Sequence, residues 1–459
     1  MIVGSQLRVE NPTQQLLEWC QRQLILPNPE YVKKKRMGFW TGNTPEKLYL
    51  FQWDGGTLVL PYGCVNEVLA MENRLVQVDL PDPIAVDFGC TIPLYDYQVE
   101  AKEEMLDAYF GILQAPAGCG KTQIGLAVAA ETGRRTLWLT HTRDLLTQSK
   151  KRAEQYMSSS LTGTITEGRV RIGKAITFAT VQTMCNLDLS QYRDVWDCII
   201  VDECHRVAGT PTAVTQFSKV LNALAARHKY GLSATVHRAD GMIAATYALL
   251  GGIAYQVPDV AVRDKIMTVS ILSRATHQGL SREFLDTDGT IIYAKMVNYL
   301  ADRYDRNNLI AADLVANQDH YNLILSDRLG HLENLMNHLP SNLRKQAVMI
   351  DGKMTSKKAK ALREQAIEEM RQGRKRYLFA TYSLAKEGLD IPRLDRLYLT
   401  TPQKDYAVIT QSIGRVARTF EGKGEPIVYD YVDDGIQYLV KSYKKRCTTY
   451  RKCGCKFVE

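Results

Sequence analysis

The sequence predicts an α/β protein with two parallel-sheet lobes in tandem, preceded by a small α+β N-terminal domain. From about Gly111 short apolar strands alternate with helical stretches, the pattern of a mostly parallel sheet covered on both faces. The alternation occurs twice, with a polar interval between the two runs. Residues 1 to about 88 lack it and carry Pro, Gly and aromatic residues among short strand-like runs. At 459 residues and 45% hydrophobic content, the chain has room for two or three globular cores.

Taken in order, residues 1–88 open with an amphipathic helix near Gln14 to Leu24 and form a nucleic-acid-binding or accessory domain. The first lobe, 89–257, offers strands at Gly111 to Gln114, Thr136 to Thr140, Ala175 to Ala179, Cys198 to Val201 and Tyr230 to Ser233. The second, 258–440, begins with a polar stretch and a helical pattern (Ile292, Met296, Leu300) that connects the lobes. Its strands are expected at Asn322 to Ser326, Ala347 to Ile350, Tyr377 to Thr381, Arg396 to Thr400 and Ile427 to Tyr431. Residues 441–459 read as a basic tail; no fixed-period repeat or low-complexity segment interrupts the plan.

The formal net charge is +8. Much of the excess lies in Lys441, Lys444, Lys445, Arg446, Arg451, Lys452 and Lys456, opposed by Glu459, so charge supports a polyanionic partner little better than a solubilising tail. No uncharged apolar run nears 18 residues and no leader pattern opens the chain, which argues against a membrane protein. Ten scattered cysteines fit a reducing cytoplasmic setting, the host's if the chain is viral. Cys447, Cys453 and Cys455 match no standard zinc spacing and read as free thiols.

Chemistry appears at Ala115 to Thr122, Ala-Pro-Ala-Gly-Cys-Gly-Lys-Thr, which follows an apolar strand and opens a helical run. Small residues at Ala117, Gly118, Cys119 and Gly120 let backbone N–H groups curl around phosphates, aided by the positive helix end. Lys121 then reaches the β- and γ-phosphates of ATP, and Thr122 ligates Mg²⁺. Downstream, the buried strand Cys198 to Val201 ends in Asp202 and Glu203. Asp202 is suited to the Mg²⁺ shell and Glu203 to activating the attacking water.

Together with Asp202-Glu203-Cys204-His205, these residues resemble the ATPase core of superfamily 2 helicases, with similarity from about residue 93 to residue 432. The resemblance is to the XPB and UvsW-like branch, the compact size and the stretches Asn28 to Tyr31 and Trp40 to Gly42 looking like phage helicases. It implies two RecA-like lobes and a DNA helicase or translocase acting on single-stranded, forked or branched DNA in replication, recombination or repair. A monomer on DNA is expected, and RNA is not excluded.

Leu94 to Gln98 looks like the adenine-contacting motif, which assigns Gln98 to the base; the branch has Arg where this chain has Tyr95. His205, Ser233 and Thr235 are implied as coupling residues, in a stretch Gly231 to Gly241 typical of the branch. Arg143, Gln148, Thr180, Gln182, Thr381 and Thr400 are implied as strand contacts. Gly388, Asp390 and Gln411 are implied at the nucleotide, and Arg415 and Arg418 as arginine fingers. At helical spacing the two arginines are expected to project as a pair from one face, suited to the charge spread over a transferring phosphoryl group. Since Lys121 and Arg415 fall on different lobes, lobe closure on ATP is the expected mechanical event.

Tyr31 to Trp40 interleaves Lys33, Lys34, Lys35, Arg36 and Trp40, a composition suited to phosphates and base stacking; a core strand with a solvated lysine edge explains it equally well. Three rivals stand beside the DNA motor. One is an RNA helicase, which shares the core. Another is a restriction-type nuclease motor, for which Asp351-Gly-Lys353 has the local form of a metal site but lacks an upstream acid. The last is a non-catalytic nucleic-acid binder, against which the intact Lys121, Thr122, Asp202, Glu203, Arg415 and Arg418 argue.

Overall fold

A computed structural model describes residues 1–116, 118–234, 241–262, 266–351, 357–386 and 389–458. Two compact units share the chain, the first holding nearly all of residues 1–261 and the second residues 262–459. Ala117, Thr235 and Gly388, expected at the nucleotide or the coupling motif, lie outside the described residues.

The N-terminal residues form seven short strands: β1 (Ile2–Val3), β2 (Gln6–Glu10), β3 (Ile25–Pro27), β4 (Lys47–Tyr49), β5 (Gln52–Asp54), β6 (Thr57–Pro61) and β7 (Gln77–Val78). Five make a sheet in the order β5-β6-β2-β1-β7, and β3 pairs with β4. Along β2, Leu7 and Val9 point inward under Leu16 and Cys20 of the helix Gln14–Gln23, which Thr13 caps through the N–H of Leu16. The core so formed takes in Ala248 and Phe110 of lobe one. Tyr62 donates to the Arg227 carbonyl (3.0 Å) and Lys229 Nζ to the Ser5 carbonyl (3.2 Å). These residues therefore pack as one unit with lobe one.

Lobe one contains β8 (Phe110–Gln114), β9 (Thr136–Thr140), β10 (Thr162–Thr166), β11 (Arg169–Arg171), β12 (Ile176–Thr180), β13 (Cys198–Asp202), β14 (His228–Ser233) and β15 (Ile253–Gln256). Their order is β11-β10-β12-β9-β13-β14-β8-β15, parallel except for the edge hairpin β10–β11. Full burial of β9 and β13 accounts for the unbroken apolar runs Leu137 to Leu139 and Cys198 to Val201, and β12 is buried along its length as well. Lobe two contains β16 (Ser270–Ala275), β17 (Asn322–Ser326), β18 (Ala347–Ile350), β19 (Tyr377–Thr381), β20 (Arg396–Leu399), β21 (Ile427–Val432) and β22 (Lys456–Val458), in the order β18-β19-β17-β20-β21-β16-β22. Both sheets are covered by helices, the arrangement of RecA-like lobes; eight of the ten expected strands fall within observed ones, and the other two overrun them by one residue, at Ala175 before β12 and at Thr400 after β20.

Some elements differ from expectation. The stretch read as polar connection contains β16, which pairs with β21 along its length. Residues 441–459 are not a tail. The helix Gln437–Lys452 buries Arg446, Cys447 and Tyr450, Arg446 pairs with Asp430 (2.8 Å), and β22 extends the sheet beside β16. The positions 439, 442, 446, 449 and 450 lie on one helical stripe, so the cluster's charges are divided between a buried face and solvent. Tyr31 to Arg36 is helical rather than a core strand: the helix Pro29–Arg36, capped by Asn28, buries no residue. Among the described residues no helix is long and apolar enough to cross a membrane.

Candidate functional site

In lobe one the site stands at the carboxyl ends of the parallel strands, where open α/β sheets bind ligands. The phosphate loop joins β8 to the helix Lys121–Thr132, and Gly118 and Gly120 hold φ of +90° and +82°. An L-residue at Gly120 meets a second obstacle, since its Cβ would come within 2.4 Å of Gln98 Nε2. Gln98 is buried, and its Oε1 accepts from Tyr95 N (2.9 Å), so its amide is fixed against the loop. Tyr95 is half-exposed and stacks on Tyr97. Cys119 is buried, and Lys121 Nζ donates to the carbonyls of Ala115 (3.2 Å) and Pro116 (3.3 Å), which holds its ammonium within the loop.

Asp202 ends β13 and is buried. Its Oδ2 accepts from Ser149 Oγ (3.1 Å) and its Oδ1 from Glu203 N (3.0 Å). Burial, then the Glu203 charge, push the Asp202 carboxyl upward; the Ser149 hydrogen bond and the Lys121 charge oppose them. A divalent cation beside the carboxylate would favour its ionised form, so the buried oxygen donor and Thr122 fit Mg²⁺ chemically. Glu203, directly after β13, takes the left-handed conformation (φ +49°). His205 Nδ1 lies 3.2 Å from Glu203 Oε2 and 3.0 Å from Ser233 Oγ. Ser233 ends β14, and its carbonyl accepts from Ala115 N (3.0 Å) at the start of the phosphate loop. A contact path thus runs from Glu203 through His205 and Ser233 to the loop.

The expected strand contacts of lobe one line the same strand ends. Gln182 Nε2 donates to His141 Nδ1 (3.3 Å). Burial, then neighbouring Arg206 and His205, lower the His141 pKa, which disfavours the doubly protonated ring. Thr180 is buried, its hydroxyl 2.9 Å from that of Thr183. Gln148 is half-buried and Arg143 exposed on the helix Arg143–Ala153, where Arg143 pairs with Glu167. In the N-terminal region Lys33, Lys35, Arg36 and Trp40 are exposed, whereas Lys34 donates to Thr44 Oγ1 (2.7 Å) and lies 3.4 Å from Glu30.

Lobe two places its cations differently. Arg415 lies on the helix Tyr406–Val416 and donates to the Leu389 carbonyl (3.1 Å). That helix ends before Arg418, so the two arginines do not share a helical face; Arg418 bridges Ile266 through its backbone and pairs with Asp390 through its side chain. Asp390 also faces Arg371, whose Nε donates to its carbonyl (2.6 Å). Gln411 is buried with Oε1 lacking a hydrogen-bond partner. Thr381 is half-buried with its hydroxyl 2.9 Å from Ser383. Thr400, expected at a strand, is instead wholly buried and donates to the Leu325 carbonyl (2.7 Å). Of the nuclease segment Asp351-Gly-Lys353, Asp351 follows β18 and the other two lie outside the described residues.

Three neighbours escaped sequence reasoning. Ser149 had a signal, since a serine interrupts the buried stripe of Leu146 and Ala153. His141 and Lys423 had none. Lys423 Nζ donates to the carbonyls of Val416 (2.7 Å), Arg418 (2.7 Å) and Pro392 (3.0 Å), tying the end of the Arg415 helix to the segment that follows Asp390. Burial, with the Arg418 charge and against that of Asp395, pulls Lys423 down to about 8.

Comparison with known proteins adds the following. Residues 91–238 match the family described as type III restriction enzyme, res subunit, and residues 306–420 match the helicase conserved C-terminal domain. The chain is 25% identical over 393 residues to the probable helicase D10 of Escherichia phage T5, covering 85% of this chain and 80% of that protein. It is 26% identical over 394 residues to the DNA 3'-5' translocase XPB2 of Sulfurisphaera tokodaii, covering 78% and 85%. Dbp5 of S. cerevisiae, bound to RNA and ADP BeF3, shares the fold with a TM-score of 0.55 at 16% identity, over 82% of this chain and 96% of that one.

Proposed function

We propose that this chain, which belongs to the superfamily 2 helicases, is a nucleic-acid-stimulated ATPase that moves as a monomer along DNA and acts on forked or branched substrates in replication, recombination or repair. The observation that carries the motor reading is the path Glu203–His205–Ser233–Ala115, which joins the acid suited to activating water to the loop suited to holding phosphate. In this reading Gln98 reads the adenine, and Gly118, Cys119, Gly120 and Lys121 hold the phosphates. Thr122 and Asp202 hold Mg²⁺, and Glu203 takes a proton from the attacking water. Arg415 and Arg418 meet the charge of the transition state. Melting duplex DNA works against stacking of roughly 1.4 kcal/mol per base-pair step, so strand separation needs this hydrolysis.

DNA is favoured over RNA by the likeness to a DNA 3'-5' translocase along most of both chains. Preference for a fork is assigned to residues 1–88, because a core that grips backbones does not by itself choose a structure. The exposed Lys33, Lys35, Arg36, Phe39 and Trp40 support that assignment. The test is phosphate release with single-stranded, duplex and forked DNA and with RNA. DNA stimulation greatest on the fork is expected; stimulation by RNA alone would make the chain an RNA helicase, and none at all would remove the motor reading. Neutralising Lys33, Lys34, Lys35 and Arg36 together should then flatten the salt dependence of fork binding, each lost phosphate contact lowering the slope by roughly 0.7 to 0.9. An unchanged slope would assign the cluster to structure or to a protein partner.

A further inference from the structure

The hairpin β10–β11 stands at the free edge of the lobe-one sheet, and residues 167–172 are all exposed. Its turn has two residues, Glu167 and Gly168, both with positive φ (+52° and +73°), between the paired Thr166 and Arg169. Gly, Asn or Asp adopts this turn with least strain, so a glutamate there is a conformational cost without a local return. What its carboxylate does is pair with Arg143, at the start of the helix Arg143–Ala153.

Arg169 and Arg171 lie opposite Thr166 and Thr164, on the strand face where Thr162 Oγ1 donates to Glu154 at the end of that same helix (3.0 Å). The hairpin and helix together, residues 143–174, hold seven basic residues (Arg143, Lys150, Lys151, Arg152, Arg169, Arg171, Lys174) against three acidic ones (Asp144, Glu154, Glu167). Of the three acids, Glu154 is already engaged with Lys150 and Thr162. Glu167 is thus the carboxylate placed at the tip of a cationic ridge, on the guanidinium that the motor reading gives to a strand.

We infer that the β10–β11 hairpin is a second phosphate-backbone grip on lobe one, with Glu167 a built-in competitor that occupies Arg143 until a nucleic-acid phosphate replaces it. The inference rests on the nucleic-acid reading of the preceding section. Exchange costs little, because the pair is exposed on both sides and such pairs are weak. The ridge would then prefer ligands dense in phosphate over isolated anions, since a single anion gains little by displacing the carboxylate.

Two variants test this in the full chain: Glu167→Asn, which suits the turn better and removes the charge, and the double variant Arg169→Ala with Arg171→Ala. Anisotropy of a labelled single strand of about 20 nucleotides and of a duplex of similar length is followed over about 50 to 200 mM salt. Glu167→Asn is expected to bind about 1.5- to 5-fold more tightly, the range a surface ion pair spans. Its salt slope should steepen by roughly 0.7 on the single strand or 0.9 on the duplex, and the double variant should move both quantities the other way. The probe that responds identifies the source of the phosphates. A parent that binds with both variants unchanged overturns the hairpin grip alone, whereas a parent that binds neither probe overturns the nucleic-acid reading along with it. A thermal melt of each variant separates loss of binding from loss of fold.

Discussion

Lobe one and lobe two each hold charged side chains assigned to the reaction, yet they prepare those charges in different ways. In lobe one Asp202 is held by neutral donors, Ser149 and a backbone N–H, and Glu203 lies beside His205. In lobe two the cations are held by carbonyls and an acid of their own lobe: Arg415 by Leu389, Arg418 by Asp390. An acid fixed by neutral donors keeps its charge available for a cation or a water. A guanidinium already paired must exchange that partner before it can meet phosphate, which makes its contribution conditional. On the proposed motor reading, lobe one carries the groups ready for chemistry, and the contribution of Arg415 and Arg418 waits on exchange of their partners.

The largest effects should therefore come from lobe one. Lys121→Ala is expected to weaken ATP binding and abolish turnover, and Glu203→Gln to leave binding largely intact while lowering turnover about 10² to 10⁴-fold. Equilibrium binding of a labelled ATP analogue, set beside single-turnover hydrolysis, separates the two. A Glu203→Gln protein that hydrolyses ATP near the parent rate would take Glu203 out of the mechanism and leave the contrast without its lobe-one half.

Lobe-two variants sharpen the comparison one step down. Arg415→Ala and Arg418→Ala should each lower turnover about 10³-fold, the lower end of the range for arginine fingers, with modest loss of nucleotide affinity. Lysine should not restore either fully, because an ammonium lacks the planar fork. Lys423→Met acts on the same segment without supplying a charge to the reaction. Loss of a cation from three carbonyls should lower turnover roughly tenfold at unchanged KM, with Lys423→Arg recovering part of the loss. If both finger variants keep parental turnover, lobe two does not act through these residues.

What the sequence disclosed divides along similar lines. The phosphate loop and Asp202-Glu203 could be read because each is a contiguous run at the end of an apolar strand, where local pattern and local structure coincide. Ser149 on Asp202, or Lys423 on Pro392, joins residues far apart in the chain, and no periodicity announces such a pair. Strands of small, polar or charged residues were likewise hidden, as with Thr162–Thr166, Arg169–Arg171 and Ser270–Ala275, whose places are set by neighbouring strands rather than by their own composition. Helical spacing also misled at Arg418, because the helix ends at Val416. The two basic clusters show how composition falls short. Lys33 to Arg36 sits on a helix that buries nothing, while the C-terminal cluster sends Arg446 into the core to pair with Asp430.

The smallest expected effect concerns how each lobe anchors a central strand by a buried cation near its start. Lobe two uses Arg396, which meets Asn317 Oδ1 (2.9 Å), the Glu425 carbonyl (2.9 Å) and Asp395 (3.7 Å). Lobe one uses Lys229 on β14, which meets the carbonyls of Ser5 and Leu221 and the face of Tyr62, 4.8 Å from the ring centre. Burial pulls Lys229 from its ordinary 10.5 down to about 7. Between those values the unfolded chain carries one more proton than the folded one, so this lysine's contribution to stability rises with pH across that window. Below about 7 both states are protonated and the full burial cost is present. Urea unfolding of the parent and Lys229→Met, at about pH 7.5 and about pH 9, should show the parent gaining on the variant by up to about 1.4 kcal/mol per pH unit. A guanidinium, which keeps its proton throughout this range, adds no such slope. A parent-to-variant difference that stays flat with pH would mean that the two carbonyls and the ring hold the ammonium charged, and that β14 is anchored as β20 is, by a permanent cation.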